Sequence, residues 1–296
     1  MLKLREGIIA ALWTPTDEKG RLLIRDMESN VRFICGKNVH GIMALGSTGE
    51  FLHLDLTQRK QLLELAVAIA GPVPVIANIS DIRPAIVADL GRFARSVGAV
   101  AVALLTPYFF PVAQADLVEF FVRAGEAAKL PVFLYNFPER TGNRIELETV
   151  AAVADRLPLA GIKQSGAEFE YHSALVALGR EKNFVVLTGA DTRIPEAMAL
   201  GVTGCVSGLA NAVPELVVEI FNATKAGKKS NVAIERMRTV GTLVERLEFP
   251  LNVAAAMEAR GLSVGHPKSV VSPSTKTRYG RLVLDLRQLF GEWKLI

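Results

Sequence analysis

Eight short apolar runs, each followed by an amphipathic stretch, are the feature that most constrains the fold of this chain. The runs are rich in Val, Ile, Leu and Ala, and seven of them contain no charged residue. They span Gly7–Trp13, His40–Leu45, Val73–Asn78, Ala99–Leu105, Pro131–Asn136, Leu159–Lys163, Asn183–Thr188 and Thr203–Ser207. Apolar character that is continuous rather than alternating is typical of strands covered on both faces, and it predicts a parallel sheet.

The stretches between the runs have helical spacing of their apolar residues. They occupy about 25–36, 57–70, 83–97, 115–129, 146–156, 170–180, 193–200 and 213–226. Thr57 is the predicted N-cap of the second helix, which ends before Gly71-Pro72. Eight strand–helix units without an intervening linker predict an α/β fold, a closed (β/α)₈ TIM barrel over residues 1–226. A doubly wound open sheet is the alternative arrangement.

Residues 227–296 predict a C-terminal helical region packed on the barrel. Its predicted helices are Val232–Leu247, Leu251–Ala259 and Thr277–Leu289. The segment 265–274 contains two prolines and is predicted to be a loop.

Composition excludes several classes of protein. The chain has 296 residues, of which 50% are hydrophobic and 22% charged, which is typical of a globular protein and not of a disordered one. The net charge of +4 is not concentrated in a basic tract, so neither nucleic acid nor a membrane surface is an expected partner. The two cysteines and four histidines lack the spacing of a disulfide framework or a metal site. We therefore expect no metal. We also expect a cytoplasmic protein, since no apolar run is long enough to cross a membrane and the N-terminus does not resemble a signal peptide.

Lys163 is the one charged residue within the eight predicted strands, and it ends the sixth. The ends of barrel strands carry the catalytic groups of this architecture. Burial disfavours a charged amine and favours the neutral form, which is a nucleophile toward carbonyl groups. The alternative is a lysine that extends out of the barrel mouth or pairs with a carboxylate such as Asp191.

Other strand ends supply further candidates. The turn Gly46–Glu50 offers hydroxyl and backbone N–H groups to a carboxylate, although an ordinary strand-to-loop turn is the more common explanation of such a segment. Tyr135 is suited to proton transfer or to simple packing, and Arg140 to binding a carboxylate or to the solvated surface. The remaining candidates for substrate binding, at the ends of strands six to eight, are Ser165, Gly189, Asp191 and Ser207.

Taken together, these segments resemble the pyruvate-dependent class I aldolase family that includes dihydrodipicolinate synthase and N-acetylneuraminate lyase. The matching pieces are Gly46–Glu50, Thr106–Tyr108, Tyr135–Pro138, Arg140–Gly142 and Gly161–Lys163, in the family's order along essentially the whole chain.

The resemblance implies that Lys163 forms a Schiff base with the keto carbon of pyruvate and that no metal or organic cofactor is needed. It implies that Tyr135 shuttles protons, and that Ser47 and Thr48 hold the pyruvate carboxylate and link it to Tyr135. It further implies small-molecule keto acid and aldehyde substrates and a homotetramer.

The markers of the aldehyde substrate are mixed. Phe109 stands where the synthases usually have a second tyrosine that reaches into a neighbouring subunit's site. Gln164 stands where the synthases usually have an acidic residue, and Asp191 lacks the acidic neighbour found in the sugar-acid lyase. Arg140 resembles the synthase arginine that binds the carboxylate of aspartate semialdehyde.

The leading hypothesis is therefore a lyase or synthase that makes or breaks a C–C bond between pyruvate and an aldehyde, as dihydrodipicolinate synthase does. A 2-keto-3-deoxy sugar acid or N-acetylneuraminate aldolase, or a related dehydratase, is the alternative within this chemistry. A phosphosugar enzyme that uses Gly189 and Gly208 as a phosphate site is a weaker alternative. A non-catalytic barrel that binds a keto acid is the alternative of another class.

Overall fold

Eight parallel strands form a closed barrel in the computed structural model, which describes residues 4–296. The strands pair in chain order, and the last pairs with the first. Their bounds are β1 (Gly7–Ala11), β2 (Gly41–Ala44), β3 (Val75–Asn78), β4 (Ala101–Leu105), β5 (Val132–Asn136), β6 (Leu159–Gln164), β7 (Val185–Thr188) and β8 (Gly204–Ser207). The predicted TIM barrel is confirmed, and the alternative of an open sheet is wrong.

Helices lie between the strands and continue after the last one. Their bounds are α1 (Ile24–Cys35), α2 (Leu56–Ala70), α3 (Pro84–Ser96), α4 (Gln114–Ala128), α5 (Pro138–Thr141), α6 (Leu147–Arg156), α7 (Tyr171–Lys182), α8 (Ile194–Ala199), α9 (Pro214–Lys225), α10 (Asn231–Val244), α11 (Leu251–Ala259) and α12 (Pro273–Glu292). The short α5 has no counterpart in the sequence-based prediction. No helix in the described part of the chain is long and apolar enough to cross a membrane.

Two helix starts differ from the prediction. Asp55 rather than Thr57 caps α2: its side chain accepts a hydrogen bond from the backbone N–H of Gln58 at 2.8 Å, and the Gln58 side chain accepts one from the backbone N–H of Asp55. α12 begins at Pro273, inside the predicted loop, because a proline is tolerated in the first turn of a helix and Ser272 supplies the cap.

The barrel interior is filled by apolar side chains that alternate strands direct inward. They form a cluster separate from the larger core between the strands and the helices. The interior cluster includes Ile9, Ala11, Met43, Ile76, Ala101, Ala103, Phe133, Val185, Leu187 and Val206. Because the interior is packed, polar chemistry is confined to the mouth where the strands end.

The C-terminal helices α10, α11 and α12 pack on one another and on the barrel. The predicted boundary after residue 226 falls between α9 and α10, and the division into two parts there stays a prediction. The connection between α10 and α11 lies at the barrel mouth, where Glu245 and Phe249 border a cavity.

Candidate active site at the barrel mouth

Lys163 lies near the end of β6 and points into the barrel. Side chains alternate along a strand, so Ile162 packs in the outer core while Lys163 faces the interior. In register, Lys163 lies between Tyr135 on β5 and Leu187 on β7. The lysine is 7% exposed, and its Nζ lies 4.0 Å from the centroid of the Tyr135 ring. The amine is therefore buried among barrel side chains and does not extend out of the mouth.

A cavity of about 310 Å³ opens at the mouth and reaches Lys163. It brings together all the predicted site residues except Ser47 and Ser207. Those that line it are Thr48, Tyr135, Arg140, Lys163, Ser165, Gly189 and Asp191. This volume is within the range of sites for small molecules.

Ser47 is positioned by the turn that follows β2, and it faces a second cavity of about 250 Å³. Its Oγ lies 3.4 Å from the Tyr135 hydroxyl, and either group can donate the hydrogen bond. Thr48, the next residue, is buried and lines the main cavity. The turn thus places one hydroxyl beside the phenol and the other in the cavity.

Ser207 is fully buried at the end of β8. Its hydroxyl accepts a hydrogen bond from the backbone N–H of Ala210 at 2.9 Å. Ser207 therefore stabilises the turn Leu209–Asn211 and does not itself line the cavity.

Asp191 follows β7, and its Oδ1 is shut off from solvent without a hydrogen-bond partner among residues 4–296. Burial raises the pKa of this carboxyl to about 6, although the Ser207 hydroxyl and the positive charge of Lys163 act in the opposite direction. A carboxyl group of this kind changes protonation near neutral pH and can exchange hydrogen bonds with a ligand.

Gly189 has no side chain, and this leaves room for the side chains of Ser165 and Lys163. A Cβ at position 189 would overlap with Oγ of Ser165 and lie 3.2 Å from Cε of Lys163. At Gly208, on the other side of the cavity, a Cβ would meet Thr48 Oγ1 at an ordinary contact distance of 3.4 Å. The absence of a side chain at position 189 therefore leaves space chiefly for Ser165, and the lysine lies close to the same space.

Arg140 belongs to α5, which Gly142 ends with a left-handed φ of 75°. Its guanidinium is 5.9 Å from the ring centroid of Phe137 and 5.7 Å from that of Phe249. The residue is exposed, and it borders both cavities. It is positioned to meet an anion at the entrance.

The two residues that depart from the synthase pattern lie away from the main cavity. The Gln164 side chain accepts a hydrogen bond from Nδ2 of Asn136 at 2.7 Å and is buried outside the lining. Phe109 is 85% exposed, has a φ of 79°, and packs edge-on against Phe110. Within this chain, neither side chain borders the space next to Lys163.

The sequence-based prediction missed the wall that the C-terminal region contributes. Glu245, Phe249 and Asn252 line the main cavity, together with the α10 residues Gly241 and Val244. The only sequence signal was the break between two predicted helices at 248–250. Over residues 4–296, no three His, Cys, Asp or Glu side chains converge as a metal site requires.

Comparison with known proteins agrees with this architecture. The sequence model of the dihydrodipicolinate synthetase family matches residues 4–289. The chain is 30% identical over 286 residues to an uncharacterized DapA-like lyase from Halobacterium salinarum, an alignment that covers 96% of this chain and 93% of that protein. It is also 30% identical over 294 residues to the 4-hydroxy-tetrahydrodipicolinate synthase of Methanopyrus kandleri, with 96% of each chain covered.

The fold is similar to that of a solved structure of YagE, a prophage protein of Escherichia coli K12 in the dihydrodipicolinic acid synthase family. That protein was solved in complex with pyruvate. The TM-score is 0.90 at 25% identity, over 99% of this chain and 100% of the other.

Proposed function

Because the chain belongs to the dihydrodipicolinate synthetase family, we propose that it is a lyase or synthase that joins pyruvate to an aldehyde or reverses that step. Lys163 is the residue on which the proposal depends. The residue is 7% exposed, its amine lies beside Tyr135, and it lines a cavity of about 310 Å³ at the strand ends. A buried amine of this kind is suited to attack a keto group.

The reaction begins when the neutral amine of Lys163 adds to the keto carbon of pyruvate. The adduct takes up one proton and loses water, which leaves a protonated imine that withdraws electrons from the adjacent methyl group. Loss of a methyl proton then gives an enamine, and its terminal carbon forms a bond to the aldehyde carbon, whose oxygen takes up a proton. Hydrolysis of the new imine releases the product and restores the amine, and cleavage follows the same steps backward.

Tyr135 and the turn Gly46–Glu50 have distinct roles in this proposal. The Tyr135 hydroxyl takes and returns the protons, and Ser47, 3.4 Å away, connects it to the turn. Thr48 holds the pyruvate carboxylate through its hydroxyl and the backbone N–H groups of the turn. The protonated imine supplies the electron withdrawal, so the proposed mechanism needs no cofactor or metal.

Arg140 supports a synthase-like acceptor, an aldehyde that carries a carboxylate, as aspartate semialdehyde does. Its position at the entrance of the cavity, without an ion-pair partner among the described residues, favours an anionic substrate. Ser165 and Gly189 border the space between this entrance and the lysine.

A 2-keto-3-deoxy sugar acid or an N-acetylneuraminate-type substrate, in an aldolase or dehydratase reaction, is the second candidate. The observation that favours it is the group of polar side chains Asp191, Glu245 and Asn252 in one cavity. Carboxylate and amide groups of this kind hydrogen-bond the hydroxyl groups of a sugar chain. A screen of sugar acids for pyruvate release, beside aldehydes for pyruvate consumption, separates the two candidates.

Borohydride trapping tests the reaction class. Incubation with pyruvate and borohydride is expected to leave a reduced pyruvyl group on the peptide that contains Lys163, detected by mass spectrometry. Lys163→Ala is expected to lose the adduct, while Lys60→Ala, which removes a surface lysine paired with Asp89, keeps it. An adduct that persists in a folded Lys163→Ala protein contradicts the proposal. An adduct on the wild type without turnover of any aldehyde or sugar acid supports the non-catalytic keto-acid-binding barrel instead.

We further propose a homotetramer as the working form. Phe109 and Phe110 are 85% and 66% exposed, and neighbouring aromatic rings at the surface are typical of an interface between proteins. The cytoplasmic location stays a prediction.

A further inference from the structure

The carboxylates next to Arg140 and next to Phe249 in the sequence are committed elsewhere, while Asp191 and Glu245 border the same cavity without pairing with Arg140. The adjacent Glu139 side chain accepts a hydrogen bond from the backbone N–H of Ala167. Glu248, next to Phe249, pairs with Arg278 at 3.0 Å. None of the ion pairs formed by residues 4–296 includes Arg140, so its guanidinium is available to a ligand at the junction of the two cavities.

Two aromatic rings, Phe137 and Phe249, replace a counter-ion in holding this guanidinium. Their centroids lie 5.9 and 5.7 Å from Arg140 Cζ, within the range of cation–π attraction. An aromatic partner restrains a guanidinium without neutralising its charge. The arrangement therefore keeps Arg140 both positioned and able to bind an anion.

The two rings differ in what else they do. Phe137 stacks on Tyr135 at 6.0 Å, so a change there also disturbs the proton-transfer residue. Phe249 comes from the connection between α10 and α11, is half-buried, and borders both cavities. Only Phe249 acts on Arg140 from outside the barrel.

We infer that Phe249 is a specificity-determining residue that positions Arg140 to select aldehydes carrying an anionic group. The C-terminal region thereby takes part in the choice of acceptor, while the imine forms on barrel residues alone. This inference rests on the proposed function, since it concerns the second substrate of the same reaction.

Steady-state kinetics with matched aldehydes tests the inference. The probes are succinic semialdehyde and butanal, which share a four-carbon chain and differ in the carboxylate. Phe249→Leu keeps an apolar side chain but removes the ring. It is expected to raise KM for succinic semialdehyde about five-fold more than KM for butanal. Phe249→Trp is expected to restore the wild-type KM.

Two controls separate this role from a general loss of structure. Phe33→Leu removes another half-buried ring next to an arginine, 5.5 Å from Arg260, at a position that lines neither cavity, and is expected to change neither KM. In an Arg140→Ala background, Phe249→Leu is expected to have no further effect, because the ring acts through the arginine.

Four outcomes overturn the inference. The first is an equal change in KM for both aldehydes, and the second is an undiminished effect of Phe249→Leu without Arg140. The third, a wild type that forms no borohydride-trappable pyruvate adduct, overturns the proposed function and the inference with it. When the adduct forms but the two aldehydes are used equally well, the inference alone fails.

Discussion

Asp191 combines a buried oxygen with a place beside the lysine, and this makes it the residue most sensitive to pH. Burial raises its pKa to about 6, from 3.8 in an unfolded chain. Between about pH 4 and 6 the folded protein therefore keeps a proton that the unfolded chain has released. It follows that the contribution of Asp191 to the free energy of unfolding falls as the pH rises through this window and is constant above it.

Asp191→Asn removes this pH-dependent penalty. The shift of about two units corresponds to at most about 3 kcal/mol, and we expect about half of it because the residue is only half-buried. Relative to the wild type, the variant is expected to gain stability progressively from pH 4.5 to about 7, measured by guanidinium unfolding at several pH values. Asp116→Asn, at an exposed position on α4, is the control, and its free energy of unfolding should vary with pH as that of the wild type does. If the free energy of unfolding of Asp191→Asn varies with pH in parallel with that of the wild type, the raised pKa of Asp191 is contradicted.

At the scale of elements, local signals in the sequence predicted the barrel well. Each β-strand lies within a predicted apolar run or, for β6, one residue beyond it, because a parallel strand buried on both faces needs continuous apolar residues. Lys163 was identifiable for a related reason, since a charge at the end of such a run needs an explanation. The motif resemblance added the roles of Ser47 and Tyr135.

What escaped prediction depends on packing between distant segments. Phe249 stands in a short connection with no unusual local pattern, and its place over the mouth follows from how α10 and α11 pack on the barrel. The sequence does not predict capping of α2 by Asp55, although Gln58 follows three residues later, because Thr57 is also a favoured N-cap residue. The position of Gln164 outside the cavity follows from strand alternation once the inward direction of Lys163 is known.

The turn Gly46–Glu50 is connected to the C-terminal region by a buried ion pair. Nζ of Lys268 lies 2.8 Å from Glu50, with the two side chains 3% and 8% exposed, and the ammonium is 4.6 Å from the Trp13 ring centroid. Burial lowers the pKa of Lys268, while Glu50 opposes the change. The loop between α11 and α12 thus supports the turn that carries Ser47 and Thr48.

Glu50→Gln is expected to lower the free energy of unfolding by about 3 kcal/mol, because it leaves the Lys268 ammonium buried without a counter-charge. The double change Glu50→Leu with Lys268→Met should recover most of the loss, since neither charge then remains. Guanidinium unfolding followed by circular dichroism measures both. As a control, Glu119→Gln breaks an exposed pair with Arg156 and should cost less than about 1 kcal/mol. A double variant as unstable as the single one would show that the pair is not coupled.

At the scale of the whole molecule, the proposed assembly depends on the exposed rings near the end of β4. Phe109→Ser with Phe110→Ser is expected to convert a tetramer to smaller species, because apolar area is then lost from the interface. Size-exclusion chromatography with light scattering measures the mass of each species. Leu284→Ser, which changes another exposed apolar residue on α12, should leave the assembly intact. A wild type that is monomeric at micromolar concentration contradicts the proposal.

The cavity is assembled from two stretches of chain that are far apart in the sequence, and this has an evolutionary consequence. Lys163 and Tyr135 lie at strand ends, and the pairing of β5 with β6 fixes their relative position. The connection between α10 and α11 forms one wall of the cavity and does not belong to the barrel strands. Under the proposed function, substitutions in this connection are expected to alter the choice of acceptor during evolution without moving the lysine.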